Sequence, residues 1–414
     1  MAPWAIGEVG DREDALARTI ERARERIPFY RDLHAGVESR RLADLPTFSK
    51  ADLRPYGLFP LSGAPLADAH RVCATSGTTG PRLFIGYSRR DWEERAAARL
   101  AHRARYAEFG PGDVMLNLLG YGLWVGGPAL DLMANASGAG LVPAGPGGVD
   151  RVFSWLEELP ITGLAATPSF MRLLVEKATA EGVDPGAWSL RVGFIGGEPA
   201  SRALREQVIA AFGGGFRWQE LYGSTESIGP ILGFGSAATP FGGRLLLDTD
   251  EFIVELLAVD RDEPVEPGEL GEITVTTPFA EFSPLLRYRT RDLTRLAPDG
   301  GDEGFPAVTP LVGRVDDAIK VRGALVYPTV IEEVALRHLA PGAEFRIEVD
   351  RDPGSFDELT VVVEHEGADA ELDELRTELR EATVIRVEVR PVPFGTFERF
   401  AGKAKRVIDR RPAD

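Results

Sequence analysis

At 414 residues with one cysteine, Cys73, the chain excludes a disulfide framework and any zinc site built from several cysteines, and it is long enough for a large domain plus a smaller one. A net charge of −17 excludes a nucleic-acid partner, because a phosphate backbone demands clustered Lys and Arg, and any polyanion must be gathered by local donors against the overall field. Apolar residues at 44% and charged residues at 27% are the balance of a folded, water-soluble protein, and Met1–Gly10 lacks the basic start and apolar run of a secretory signal, so a cytoplasmic location is expected.

Residues 11–26 combine helical spacing with heavy charge and predict a surface helix. Between Asp113 and Asp131 the chain carries no charge, but Asn117, four glycines and Pro128 are poor material for a membrane helix; a buried strand and a tight loop are expected, with no membrane partner. From about Val72 to Pro310 apolar or β-branched runs alternate with helical stretches, as in ITGLAATP before SFMRLLVEKATAEG and LRVGFIGG before ASRALREQVIAAF. Such alternation predicts an α/β layered architecture. After about Gly313 the texture changes: YPTVIEEVALRHL reads as a helix with Pro328 in its first turn, followed by strands FRIEVD and ELTVVVEHE, an amphipathic helix near 369–381 and a strand in VIRVEVRPV. This is a compact α+β unit, with the boundary at Arg314 to Asp317, giving domains 1–313 and 314–414.

Five segments carry possible chemistry. Thr75-Ser76-Gly77-Thr78-Thr79-Gly80 follows a predicted strand; its glycines let backbone N–H groups approach an anion, and its hydroxyls add donors for phosphate oxygens. It lacks the GK[ST] ending of a Walker loop, and alone it is equally an ordinary Gly/Ser/Thr turn. Tyr222-Gly223-Ser224-Thr225-Glu226 places a ring, two hydroxyls and a carboxylate together, suited to stacking a base, holding a phosphate through Thr225 and Mg²⁺ through Glu226. A strand end with a solvated Glu fits it too. In Arg287-Tyr288-Arg289-Thr290-Arg291-Asp292 the carboxylate suits ribose hydroxyls, with flanking arginines to position it, and the plainer reading is a salt-bridged surface strand. Gly313-Arg314-Val315-Asp316-Asp317 lies at the domain boundary, where a polar turn is the ordinary expectation. Gly402-Lys403-Ala404-Lys405-Arg406 is basic in an acidic chain, either a flexible loop delivering an ammonium or a solvated tail. The match GxGxxA at Gly233–Ala238 lacks a following helical pattern and is discounted.

In order, these segments resemble the core motifs of the adenylate-forming acyl ligases from about residue 70 to the end. RYRTRDLTRL, YGSTESIGP, GGEP (196–199) and GKAKRVIDRR most resemble the phenylacetate–coenzyme A ligase branch. The resemblance implies a large N-terminal multi-layer α/β domain that binds ATP and acid, and a small mobile α+β domain carrying a catalytic lysine. It implies Thr75 to Gly80 on the ATP phosphates, Gly197, Glu198 and Pro199 along the adenine with Tyr222 opposite, Thr225 at the α-phosphate and Glu226 on Mg²⁺. Asp292 would take the ribose hydroxyls assisted by Arg314, Lys403 would bridge the carboxylate and the α-phosphate, and Asp316 would be the hinge. The acid pocket is expected around Tyr121, Trp124, Gly197, Gly223 and Ile228, whose rings and glycines suit a flat aryl acid; Trp124 and Ile228 serve equally as core residues.

Adenylation converts a carboxylate, a poor electrophile, into a mixed anhydride with a good leaving group, and coenzyme A would then take the acyl group. Three positions depart from the branch: Arg82 follows a phosphate loop one residue short, Ala200 replaces a common tryptophan after GGEP, and Leu325 replaces a common asparagine in RGALVYP, the segment that helps form the thiol tunnel. These keep open a carrier-protein thiol or an amine as acceptor, and, in another class, a catalytically inactive nucleotide-binding paralogue. The resemblance is compatible with a homodimer.

Overall fold

The computed structural model describes residues 9–75, 82–239 and 243–411, apart from positions 299, 303, 323, 341, 352–356 and 398–405. Its centre is an eight-stranded sheet in which Gly140–Pro143, Val114–Asn117, Gly163–Ala166, Val192–Gly196 and Arg217–Ser224 run parallel, neighbour to neighbour. Gly229–Gly235, Leu245–Leu247 and Ala307–Val308 complete it in antiparallel fashion.

Strand alternation divides the core in two. Met115, Ala165 and Phe194 enter one cluster with the helices Ala97–Tyr106 and Gly126–Ser137. Leu116, Leu164 and Ile195 enter the other, under the helices Val149–Glu158, Pro168–Glu181 and Arg202–Phe212. Two of these helices begin on side-chain caps: Thr167 accepts from the Phe170 N–H and Ser201 from the Leu204 N–H. A four-stranded antiparallel sheet, Ile253–Leu257, Gly271–Thr276, Tyr288–Thr294 and Gly313–Arg314, stands beside the large one. A hairpin of Arg71–Ala74 and Phe84–Tyr87 leads into and out of the Gly/Thr loop.

Towards the C-terminus, Phe345–Asp350, Glu358–Glu364, Glu388–Val392 and Val407–Asp409 form a separate sheet. The helices Pro328–His338 and Asp373–Thr383 pack on it around a third core that includes Ile331, Phe345, Val361 and Leu375. This is the α/β architecture with a small α+β lobe that the sequence predicts, and Pro328 occupies the first helical turn as expected.

The expected strand, Val114–Asn117, and the loop after it are present, and Gly126-Gly127-Pro128 form the first turn of the helix Gly126–Ser137. Tertiary bonds start that turn: the Gly127 N–H donates to the Gly120 carbonyl (3.1 Å), and Asn117 Nδ2 to the Gly127 carbonyl (2.8 Å). The run Arg287–Asp292 is not a surface strand, since Arg287 and Arg289 are buried. Among the described residues no helix is long and apolar enough to cross a membrane.

Candidate active site

Three of the segments singled out from sequence, and Thr167 between them, leave the carboxyl ends of adjacent parallel strands. Tyr121 and Trp124 follow Val114–Asn117, Thr167 follows Gly163–Ala166, Gly197 to Pro199 follow Val192–Gly196, and Thr225 and Glu226 follow Arg217–Ser224. In open α/β sheets, this end is where ligands bind, because the connections there diverge and leave a crevice.

The turn after Ser224 is built by reciprocal serine bonds. The Ser224 N–H donates to Ser227 Oγ (2.9 Å) and the Ser227 N–H to Ser224 Oγ (3.2 Å), which presents Thr225 and Glu226 at the tip. Gly223 is required there: a Cβ would lie 2.0 Å from the Gly229 carbonyl oxygen. Ile228 sits at φ 62°, a conformation costly for a β-branched side chain, and its side chain is buried in the first core.

Two tyrosines that the sequence reading gave no role fix this tip. Tyr87 donates to the Thr225 carbonyl (2.5 Å), and Tyr288 donates to Glu226 Oε1 (3.2 Å). Both rings are buried, and burial raises both phenol pKa values far above the ordinary value, so they remain donors. Glu226 is 7% exposed, and its carboxylate offers a hard oxygen donor at the turn. Among the described residues no cluster of three His, Cys, Asp or Glu side chains could hold a metal. One carboxylate fits Mg²⁺ shared with nucleotide phosphates and water rather than a protein cage. Lys50 also faces this region: burial lowers its ammonium pKa, with Glu226 acting in the opposite sense.

The second sheet joins the first through a hydrogen bond. Tyr222 Oη donates to Asp292 Oδ2 (2.8 Å), and Arg314 Nη1 lies 3.5 Å from Asp292 Oδ1 across the paired strands. Burial pushes the Asp292 carboxyl above the usual range, opposed by Arg314 and by the Tyr222 hydroxyl. The flanking arginines do not position it. Arg287 pairs with Glu255 (3.0 Å), Arg289 with Glu272 (2.9 Å) and Asp262 (2.7 Å), and Arg291 with Asp316 (3.1 Å). Their work is to hold the strand, and period-two alternation with Tyr288 and Asp292 was the available signal.

Gly197 adopts φ +84°, where a Cβ would lie 3.4 Å from the Trp124 indole, so the ring lies close against this segment. Trp124 also packs against the first core, and Tyr121 is tied to Asp131 (2.7 Å). Glu198 does not extend along the crevice as a free carboxylate: Oε2 accepts the Ser169 N–H (3.2 Å). Burial raises its pKa, with Ser169 and Arg406 opposing. Thr75 forms the neck of its loop, its hydroxyl accepting the Leu83 N–H (3.1 Å). Ser76 to Gly80 and Lys403 lie outside the described residues. Ala200 packs against the second core, and Leu325 is exposed on the hairpin Ile319–Val321/Ala324–Val326.

Residues 41–281 match the AMP-binding enzyme family, and residues 323–411 match the AMP-binding enzyme C-terminal domain. The chain belongs to the AMP-binding enzyme family. Within it, the chain is an adenylate-forming ligase of the phenylacetate–coenzyme A ligase branch. It is 31% identical to the phenylacetate-coenzyme A ligase of Aromatoleum evansii, over 97% of this chain and 94% of that one. To the enzyme of the same name from Escherichia coli (strain K12) it is 33% identical, over 96% and 93%. Among solved structures, 2-hydroxyisobutyryl-CoA ligase in the postadenylation state superposes with a TM-score of 0.84 at 24% identity, over 96% of this chain and 88% of that one. The same ligase in its thioesterification state gives 0.68 at 25% identity, over 97% and 89%.

Proposed function

We propose that the chain adenylates phenylacetate, or an aryl acid of similar shape, and then passes the acyl group to the thiol of coenzyme A. The observation that carries this reading is the joining of the two sheets at the strand ends, where Tyr222, Asp292 and Arg314 meet beside the turn of Thr225 and Glu226. The names of relatives covering nearly the whole chain support the acid and the acceptor.

In this reading the acid's carboxylate oxygen attacks the α-phosphorus of ATP and pyrophosphate leaves. The thiolate of coenzyme A then attacks the acyl carbon and AMP leaves. Asp292 accepts the ribose hydroxyls with Arg314 behind it. The Tyr222 ring faces the adenine opposite Gly197, Glu198 and Pro199. Thr225 meets the α-phosphate, and Thr75 to Gly80 gather the outer phosphates. Glu226 holds Mg²⁺, which when bound neutralises phosphate charge. Tyr121, Trp124, Gly197, Gly223 and Ile228 enclose the acid. Lys403, on a small domain of residues 314–414, bridges the reacting carboxylate and phosphate, and Asp316 is the hinge about which that domain turns. Both steps join or separate anions, so positioning and local positive charge account for most of the rate. A cytosolic setting, where ATP and coenzyme A are abundant, suits the reading.

The test supplies purified protein with ATP, Mg²⁺ and phenylacetate, with and without coenzyme A. Pyrophosphate release together with phenylacetyl-CoA detected by mass spectrometry is expected. AMP and pyrophosphate without thioester would redirect the acceptor to a carrier-protein thiol or an amine. Absence of pyrophosphate exchange with every aryl acid tried would make the chain an inactive nucleotide-binding paralogue.

A further inference from the structure

Where the small lobe meets the large one, charge is buried. Arg172, on the helix Pro168–Glu181 of the large lobe, forms an ion pair with Glu344 of the small lobe, and the side chains are 8% and 4% exposed. Arg172 also lies 3.6 Å from Glu176 on its own helix. The other side of the Glu344 carboxylate faces Arg406, at 3.5 Å, and Arg406 donates to Glu332 (2.8 Å) while its guanidinium lies over the Phe345 ring. Arg406 stands three residues after Lys403, and its carbonyl accepts the Ile347 N–H (2.8 Å), fixing the strand that the lysine precedes. The charge of Arg406 reaches Glu198, and Glu198 accepts the Ser169 N–H on the helix that carries Arg172. A second tie crosses nearby: the Arg202 N–H donates to Glu333 (2.8 Å).

We propose that Glu344, clamped between Arg172 and Arg406, is a positioning residue that holds the small lobe in its adenylate-forming orientation. The inference rests on the adenylation reading above. Arg172 of the large lobe and Glu344 and Arg406 of the small lobe share one desolvated spot, with Glu176 and Glu332 at its edge, so a rotation of the lobe must separate Arg172 from Glu344 and give up their attraction at low dielectric. That cost biases the lobe towards the arrangement seen here. The bias acts on the first half-reaction alone, because the second requires the lobe to leave.

The test uses the full chain with Arg172→Met, which keeps the aliphatic volume, and separately Glu344→Gln. Acid-dependent exchange of pyrophosphate into ATP is expected to fall about tenfold or more through kcat, with KM for ATP little changed. Thioester formation from supplied acyl-AMP and coenzyme A is expected to hold or rise. Equal loss in both half-reactions, or full retention of exchange, overturns the proposal. Spin labels on Glu157→Cys and Glu381→Cys read the lobes directly and need no acid. The distance distribution is expected to broaden in Arg172→Met, and an unchanged distribution also overturns the clamp. If the unaltered chain exchanges no pyrophosphate with any acid, the adenylation reading fails and the distance measurement still judges the clamp.

Discussion

Glu226 has a hydroxyl rather than a cation as its hydrogen-bond neighbour, so its orientation depends on Tyr288. A neutral donor fixes a carboxylate without competing for its charge, leaving that charge for a metal. Tyr288→Phe keeps the buried ring and removes one hydrogen bond worth about 1 kcal/mol. The Mg²⁺ concentration giving half-maximal pyrophosphate exchange is expected to rise about fivefold, by that energy, with KM for the acid unchanged. A magnesium titration of the variant checks this. Through the rings of Phe48 and Tyr30, Tyr288 leads to His34, which is 4% exposed and accepts from Arg24 Nε (3.4 Å). Burial, helped by Arg24, lowers its pKa to about 4. The folded state therefore keeps this ring neutral where the unfolded chain would protonate it. The resulting stability is present above the unfolded value near 6.5 and is lost as pH falls towards 4. Between pH 7 and pH 5 the loss is about 1 to 2 kcal/mol. Calorimetry at both pH values should give a smaller drop in Tm for His34→Gln than for the unaltered chain.

At the scale of elements, the legible parts are those whose period repeats. The strand–helix units read from ITGLAATP with SFMRLLVEKATAEG and from LRVGFIGG with ASRALREQVIAAF are present as Gly163–Ala166 with Pro168–Glu181 and Val192–Gly196 with Arg202–Phe212. The start of the helix at Gly126 was not legible, because Gly-Gly-Pro has poor helix propensity and only bonds to Gly120 and Asn117, distant from any local pattern, begin it. Residue types in order named Tyr222, Asp292 and Glu226, and the fold brings Tyr222 and Asp292 into contact beside the turn of Glu226. Tyr87 was not, since its partner Thr225 lies 138 residues away and no period connects them. The three arginines around Asp292 carried the wrong expectation because charge was weighed before strand alternation. The short turn Val315–Asp317 follows the strand paired to Asp292, and Arg291 grips Asp316 from the large lobe. Asp316→Pro fixes φ within this turn and is expected to slow thioester formation about tenfold or more while sparing pyrophosphate exchange. Asp316→Ala, which loses the ion pair but keeps the rotation free, should not. Single-turnover rates for the two half-reactions separate these outcomes.

For the whole molecule, the question is how one crevice serves two reactions. The acidic chain repels polyanions, so positive charge must be brought to the phosphates locally and withdrawn afterwards. In the proposed mechanism a lysine carried on the smaller lobe would meet that need, since turning the lobe would remove the ammonium and open a path for a thiol. Arg406, three residues after Lys403 in the sequence, is tied to Glu332, and its charge reaches Glu198. Lys403→Ala removes charge that is needed only while the carboxylate approaches the α-phosphate. Adenylate formation is expected to fall about a hundredfold or more, the scale of losing one preorganised electrostatic group. Thioester formation from supplied acyl-AMP should stay within about twofold, because the lobe is then turned away and any structural damage would appear in both rates. Equal loss in the two assays would mean that the lysine holds the fold of the lobe instead, and that the cation facing the reacting phosphate must be sought on the large lobe, where the charge of Glu226 acts on Lys50.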